Sequence, residues 1–376
     1  MYPYFDLNSL LLYTVIGILG AYCIKLGITN RNGISFPWQT GYVCFILMYV
    51  LLAGLRLVTP NGIGGKDTYG YEIDFLNAFL STSRFDEQDV LFGMYNKVIR
   101  SITDNVIIYR FVCYFIITYA YIYFINAFCT KRISCIPFIV LMIPYLRSFN
   151  TMRSSLAIAI ILIGLVLLKK KKILWSIISI CASFFMHRMS ILFVMFLPFY
   201  ALFKKFKYNN SKLRLIVIVS TLTIIAYFTA FYIQEYVLQI GILIGNDAAY
   251  IKMNRESSIL ETSVTLFPLL LISIMWLICM RKLKSNENIS FLKLMVIFDI
   301  ISTPVAFILG MWRANEYFYV GRLAFWSYLI PTFTSRFDIT SRKLINAVFF
   351  ALFTAWLIYR ICREWESCGL MPYKLI

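Results

Sequence analysis

Residues 136–198 read IPFIVLMIPYLRSFNTMRSSLAIAIILIGLVLLKKKKILWSIISICASFFMHRMSILFVMFLP, and this stretch decides the fold. An apolar run ends in a polar elbow, Arg147-Ser-Phe-Asn-Thr-Met-Arg153. A second run ends in four lysines, Lys169 to Lys172. A third ends in the pair His187-Arg188, and a fourth follows. Apolar runs that alternate with polar joints predict helices crossing a bilayer, whose hydrocarbon core takes about 20 residues of helix. The alternation puts the elbow and the His187-Arg188 pair on one side, with the lysines on the other. His187 is the only histidine in the chain.

Composition extends this reading to all 376 residues. The chain is 60% hydrophobic and 14% charged, with a mean hydropathy of +0.76. A soluble domain is about 45–50% apolar and about 25% charged. The continuous apolar runs argue against a β-barrel, whose strands alternate. The expected fold is therefore all-α: a single polytopic transmembrane domain over residues 1–376, with about twelve spans. They fall at 7–24, 40–57, 106–128, 133–146, 154–168, 173–186, 189–203, 214–232, 263–280, 294–310, 323–334 and 344–359. The first run has neither a basic segment before it nor a small-residue cleavage site, so it reads as a retained helix.

Charge sets the orientation. With the loop holding Lys25 and Arg31 taken as cytoplasmic, six loops on that side hold 20 Lys/Arg against two acids, Glu287 and Asp338. Basic loops mark the cytoplasmic face, so the net charge of +18 reflects topology and no nucleic-acid partner is expected. Two long loops face outward, 58–105 and 233–262. The first has apolar residues at helical spacing (Phe75, Phe79; Leu91, Tyr95, Val98, Ile102) and predicts helices lying at the membrane interface. Gly241 to Met253 predicts the same in the second. Nine cysteines without a CxxC pair argue against a disulfide framework or a zinc site.

Arg56, Arg147, Arg153, Arg188, Arg313 and Arg322 lie on or just inside the outward side. Arginine within a bundle usually has a partner or a job, and its planar fork binds phosphate in bidentate fashion. Each arginine has two readings, a phosphate ligand or the partner of an outer-loop acid. His187 titrates near neutrality: it reads as a base or phosphate partner, or as a structural histidine at a helix end. In Gly64-Gly65-Lys66-Asp67-Thr68-Tyr69-Gly70-Tyr71 the glycines permit a tight turn. Asp67 reads as the cap of the next helix, or as a base. Asp299, within the tenth span, reads as a coupling residue of a transporter or as the buried partner of a cation. No DxD pair, HExxH, GxSxG or nucleotide signature occurs, which disfavours a nucleotide-sugar enzyme and an ATP-driven pump.

These residues together resemble the EpsG-like branch of the Wzy polysaccharide polymerases. Arg56, Gly65, Asp67 and Tyr71 carry one part of the likeness, and Glu87-Gln-Asp-Val-Leu-Phe-Gly-Met-Tyr95 another. The most specific part is Arg153-Ser-Ser-Leu-Ala-Ile-Ala-Ile, then Lys169 to Lys172, then Ala182-Ser-Phe-Phe-Met-His187-Arg-Met-Ser190. Gly321-Arg322-Leu supplies a late arginine. Arg188 and Ser154 depart from the family pattern. The resemblance implies a membrane glycosyltransferase of the bacterial cytoplasmic membrane, without a cofactor. It would join undecaprenyl-diphosphate-linked oligosaccharide repeats into a surface polysaccharide, with its site facing the periplasm. A co-polymerase that sets chain length and a flippase are the implied partners. On this reading His187, Asp67 and Arg153 are catalytic, and Arg56, Arg147, Arg188, Arg322 and Tyr71 bind substrate. A flippase for the same lipid-linked glycan, or a membrane O-acyltransferase, are the alternatives.

Overall fold

The computed structural model describes residues 3–29, 36–80, 89–130, 132–190, 193, 196, 259–279, 282–283, 287–308 and 316–376. Helices form α1 (Leu7–Thr29), α2 (Thr40–Gly54), α3 (Thr68–Leu76), α4 (Val90–Arg100) and α5 (Val106–Phe128). A 3-10 helix (Ile136–Leu141) runs directly into α6 (Met142–Arg147), and α7 (Met152–Lys169) and α8 (Ile173–Met186) follow. A 3-10 turn (Arg188–Ser190) ends that series, and α9 (Ile259–Cys279), α10 (Glu287–Ile308), α11 (Glu316–Thr334) and α12 (Ile339–Cys368) complete it. Among the described residues, the only extended pairing is one isolated bridge, Arg56 with Leu375.

The chain divides into two units, residues 1–194 with 337–376, and residues 195–336. In the first, α1 packs on α2, α2 on α5, α5 on α7 and α7 on α8. In the second, α11 packs on both α10 and α9.

Four helices among the described residues are long and apolar enough to cross a membrane: α1, α5, α7 and α12. The apolar α2, α8 and the segment Ile136–Arg147 are shorter. This supports a helical membrane protein, while the expected count of twelve spans goes beyond it. Most of the span expected at 189–203, all of the one at 214–232, and Gly241 to Met253 lie outside the described residues.

The segment expected as a span at 133–146 begins as a 3-10 helix. Residues 137–146 are all buried, under α1 and α12. Pro137 sits in the first turn of the 3-10 helix and Pro144 in the first half of α6. At Pro137 the missing donor is one that a helix start leaves unpaired, whereas Pro144 follows a continuous 3-10 turn and its missing N–H forgoes a bond there.

Local chemistry sets several ends. The Asp6 carboxylate accepts the Ser9 amide at 2.9 Å and opens α1; hydrogen bonds from Ser9 hold its pKa below the ordinary value. The Asn105 side chain accepts from the Ile107 amide at 2.8 Å and caps α5. The α12 helix is longer than expected, and Phe349, Phe353, Leu357 and Ile361 form its buried stripe at four-residue spacing. It stops at Gly369, whose φ of +63° is the left-handed cap that glycine reaches without strain. A Cβ on Gly369 would lie 1.9 Å from the Gly62 carbonyl oxygen.

Beyond that cap the chain returns along the end of α2. The Leu57 amide donates to Lys374 O at 2.7 Å and the Ile376 amide to Leu55 O at 3.0 Å. The Gly64 amide donates to Gly369 O at 2.9 Å, and the Tyr13 hydroxyl to Leu370 O at 2.7 Å. The C-terminal residues thus tie α1, the end of α2 and the glycine loop into one piece.

Candidate functional site

Arg56 lies two residues beyond α2 and is buried, 1% exposed. Its Nε donates to Gly64 O at 2.7 Å, its Nη1 to Ala53 O, and its Nη2 to Thr68 Oγ1 at 3.3 Å and Tyr114 OH at 2.9 Å. The guanidinium also lies 4.1 Å from the centre of the Phe149 ring. Four of the five donors on the fork thus have partners within the protein. Beside it, Arg110 of α5 donates to Arg56 O and pairs with Glu72 of α3 at 3.2 Å. Burial raises the Glu72 carboxyl above its ordinary value, with Arg110 and Arg56 opposing.

This scaffold places the glycine loop against the elbow. Gly65, at φ +118°, approaches so closely that a Cβ would lie 1.9 Å from Phe149 O. A side chain there would meet both strain and a backbone atom. The Thr68 hydroxyl donates to Phe149 O, and the Asp67 amide donates to the Asn150 side chain at 2.7 Å. Asp67 precedes α3, yet its carboxylate makes no capping bond. Its side chain is half-buried and has no hydrogen-bonding or ionic partner among the described residues. Tyr71, one turn on, is buried edge-to-face against Phe92 of α4 at 5.6 Å.

Arg153 opens α7 just beyond the elbow. It pairs with Asp89, which lies immediately before α4 and is 3% exposed. The other oxygen of the same carboxylate accepts the Arg188 amide at 3.2 Å. One acid therefore holds both Arg153 and the turn that follows His187. His187 ends α8 in an extended conformation and is buried, while the Arg188 side chain is exposed. The Ser190 amide donates to His187 O at 2.9 Å, and the Ser183 and Ser190 hydroxyls meet at 3.0 Å, closing the turn.

Arg147, at the end of α6, meets a different acid. It forms a two-point pair with Glu364 of α12, both contacts at 2.7 Å, and Arg360 binds the same carboxylate.

Arg322 lies in the second unit, on α11. It pairs with Asp299 of α10 at 3.2 Å and its guanidinium lies 4.7 Å from the Tyr319 ring centre. Of the two readings of Asp299, the buried partner of a cation is the one observed. Arg313 lies outside the described residues.

The first unit thus brings together Arg153, the His187-Arg188 turn and, through Asn150 of the elbow, Asp67. It gives Arg147 its own carboxylate and Arg56 a place in the core. Two acids went unassigned in the sequence. Asp89 stood in a quoted motif, and an acid directly before an amphipathic helix reads first as a cap. Its side chain makes no capping bond because it faces Arg153. Glu364 gave only an i,i+4 signal with Arg360, which points along its own helix and not toward Arg147. Among the described residues no group of three or more His, Cys, Asp or Glu could hold a metal ion.

No curated protein and no solved structure gives a significant match to this chain. The apolar helices and the family likeness agree on an integral membrane protein. The model described as "EpsG family" matches residues 40–375, nearly the whole sequence and every site residue discussed above, and the chain belongs to the EpsG family.

Proposed function

We propose that this chain is a polysaccharide polymerase acting on the outer face of the cytoplasmic membrane. It joins oligosaccharide repeats carried on undecaprenyl diphosphate. Membership of the EpsG family supports polysaccharide biosynthesis in a membrane. The charge alternation along the sequence supports the outward site. The observation that carries the reading is the meeting of Arg153, the His187-Arg188 turn and the elbow that holds Asp67.

The chemistry follows from those groups. An acceptor sugar hydroxyl attacks the anomeric carbon of the donor glycan. The bond from that carbon to the diphosphate oxygen breaks, and the electron pair leaves with the lipid diphosphate. Arg153 stabilises that developing charge, as oriented cations do at a leaving group, and the exposed Arg188 side chain adds to it. The hydroxyl proton passes to a base. Asp67 fits that role better than His187, since its half-buried carboxylate has no partner among the described residues whereas the imidazole is buried. Arg56 and Tyr71 shape the loop that presents Asp67. Arg147 and Arg322, each paired with an acid, hold their own helices. The bilayer, a co-polymerase and a flippase are the partners in this scheme.

Loss of the chain is expected to leave surface glycan one repeat long, seen on a glycan gel as a single step without a ladder. No surface glycan at all would instead indicate transport of the repeat and would overturn the polymerase reading.

The site also predicts a pH dependence. Burial raises the Asp89 carboxyl above its ordinary value, while the Arg153 charge and the Arg188 amide and charge oppose that rise. A carboxyl raised by folding takes up its proton at a higher pH in the folded chain than in the unfolded one. The stabilisation from the protonated form is full at acid pH and fades as pH rises through the folded value. The ion pair with Arg153 exists only above that value. Polymerisation in proteoliposomes is therefore expected to fall on the acid side while pH is still above the ordinary carboxylate range. A rate that stays flat down to that range would separate the pair from the reaction.

A further inference from the structure

We infer that Asp89 is a positioning residue for the transfer reaction: it fixes the Arg153 guanidinium and the His187-Arg188 turn relative to one another. The inference rests on the polymerase reading and adds to it a residue that touches no reacting atom. Three observations carry it. The carboxylate is divided, one oxygen on Arg153 and the other on the Arg188 amide at 3.2 Å. It is 3% exposed, so water does not replace either contact. And although Asp89 stands directly before α4, its side chain leaves that helix uncapped.

The geometry joins three distant segments. Asp89 comes from the first long loop, Arg153 from the start of α7 and Arg188 from the end of α8. The α7 and α8 helices pack along one another, and α4 packs on α8. That packing fixes the helix axes, but a long side chain still has rotamer freedom that helix packing alone does not set. A charge-assisted bond removes that freedom, and the second oxygen sets the turn from which the Arg188 side chain departs. A preorganised cation stabilises a leaving group without paying for reorganisation during reaction.

The test uses the full chain, purified in detergent and also returned to its host. Wild type, Asp89→Asn, Asp89→Glu and Arg153→Lys are compared. Phenylglyoxal modifies accessible guanidinium groups, and mass spectrometry reads each arginine separately. Asp89→Asn keeps an acceptor for the Arg188 amide and loses the charge. Losing a charge-assisted bond is expected to raise modification of Arg153 by about tenfold, with Arg147, held by Glu364, unchanged. The same variant should lose the glycan ladder, and Asp89→Glu should restore it by returning the carboxylate. Modification of Arg153 at the wild-type rate in Asp89→Asn overturns the inference. So does a faster rate with an intact ladder, if Arg153→Lys has lost its ladder. A ladder that survives in both Asp89→Asn and Arg153→Lys sinks the polymerase chemistry assigned to Arg153 instead. Should Asp89→Asn fail to accumulate, Asp89→Glu carries the test: slow modification of Arg153 with a ladder supports the positioning role. Fast modification with a ladder overturns it, and so does slow modification without one.

Discussion

Arg153→Lys is expected to abolish polymer while leaving the protein in the membrane. Lysine keeps the charge and can still reach Asp89, so the contact between α7 and the first long loop survives. What it loses is the planar fork, which gives arginine two parallel donors toward a phosphate group. Arg153 is 20% exposed at its side chain, against 5% for its partner Asp89. Removing one oriented donor at a developing oxyanion lowers a rate by about 10²–10³-fold. A loss of that size turns a ladder into single repeats. The measurement is a glycan gel beside an immunoblot of the membrane fraction. A normal ladder from a variant present at the wild-type level would take Arg153 out of the mechanism.

The same substitution at Arg56 is expected to do the opposite. Arg56 is buried, and its fork holds Ala53, Gly64, Thr68 and Tyr114 at once. An ammonium group is a point charge and cannot meet those acceptors in their fixed directions. Losing a buried hydrogen bond from a charged group costs about 1.5–3 kcal/mol. Arg56→Lys should therefore accumulate poorly and show a lower unfolding midpoint in detergent, with polymer lost in proportion to protein. Normal accumulation with an unchanged midpoint would show that Arg56 is not part of the scaffold. The two results together would separate an arginine of the proposed chemistry from one that holds the loop before α3.

Much of the local structure was legible because helical membrane proteins write their helices in one dimension. The elbow, the four lysines and the His187-Arg188 pair predicted α7 and α8 nearly to the residue. Apolar spacing in the first long loop predicted helices at α3 and α4. The glycine loop before α3 was expected to turn tightly, and Gly64 and Gly65 both have positive φ. The 3-10 start of the segment at 136–147 was not legible, because an apolar run looks the same whether its first turns are 3-10 or α-helical. Nor was the return of the C-terminal residues along α2, since backbone pairing leaves little trace in side-chain pattern.

By itself, then, the sequence determined that the chain is helical and apolar, where several of its helices lie, and to which family it belongs. These follow from hydropathy, charge and local backbone preference, each of which acts over a few residues. Only the tertiary structure decided the partners of the charges. It gave Arg153 to Asp89, Arg147 to Glu364 and Arg322 to Asp299, and sent Arg56 into the core. An ion pair depends on distance in space, and these pairs join residues 64, 217 and 23 positions apart. No period in the sequence encodes such separations; the packing of the helices does.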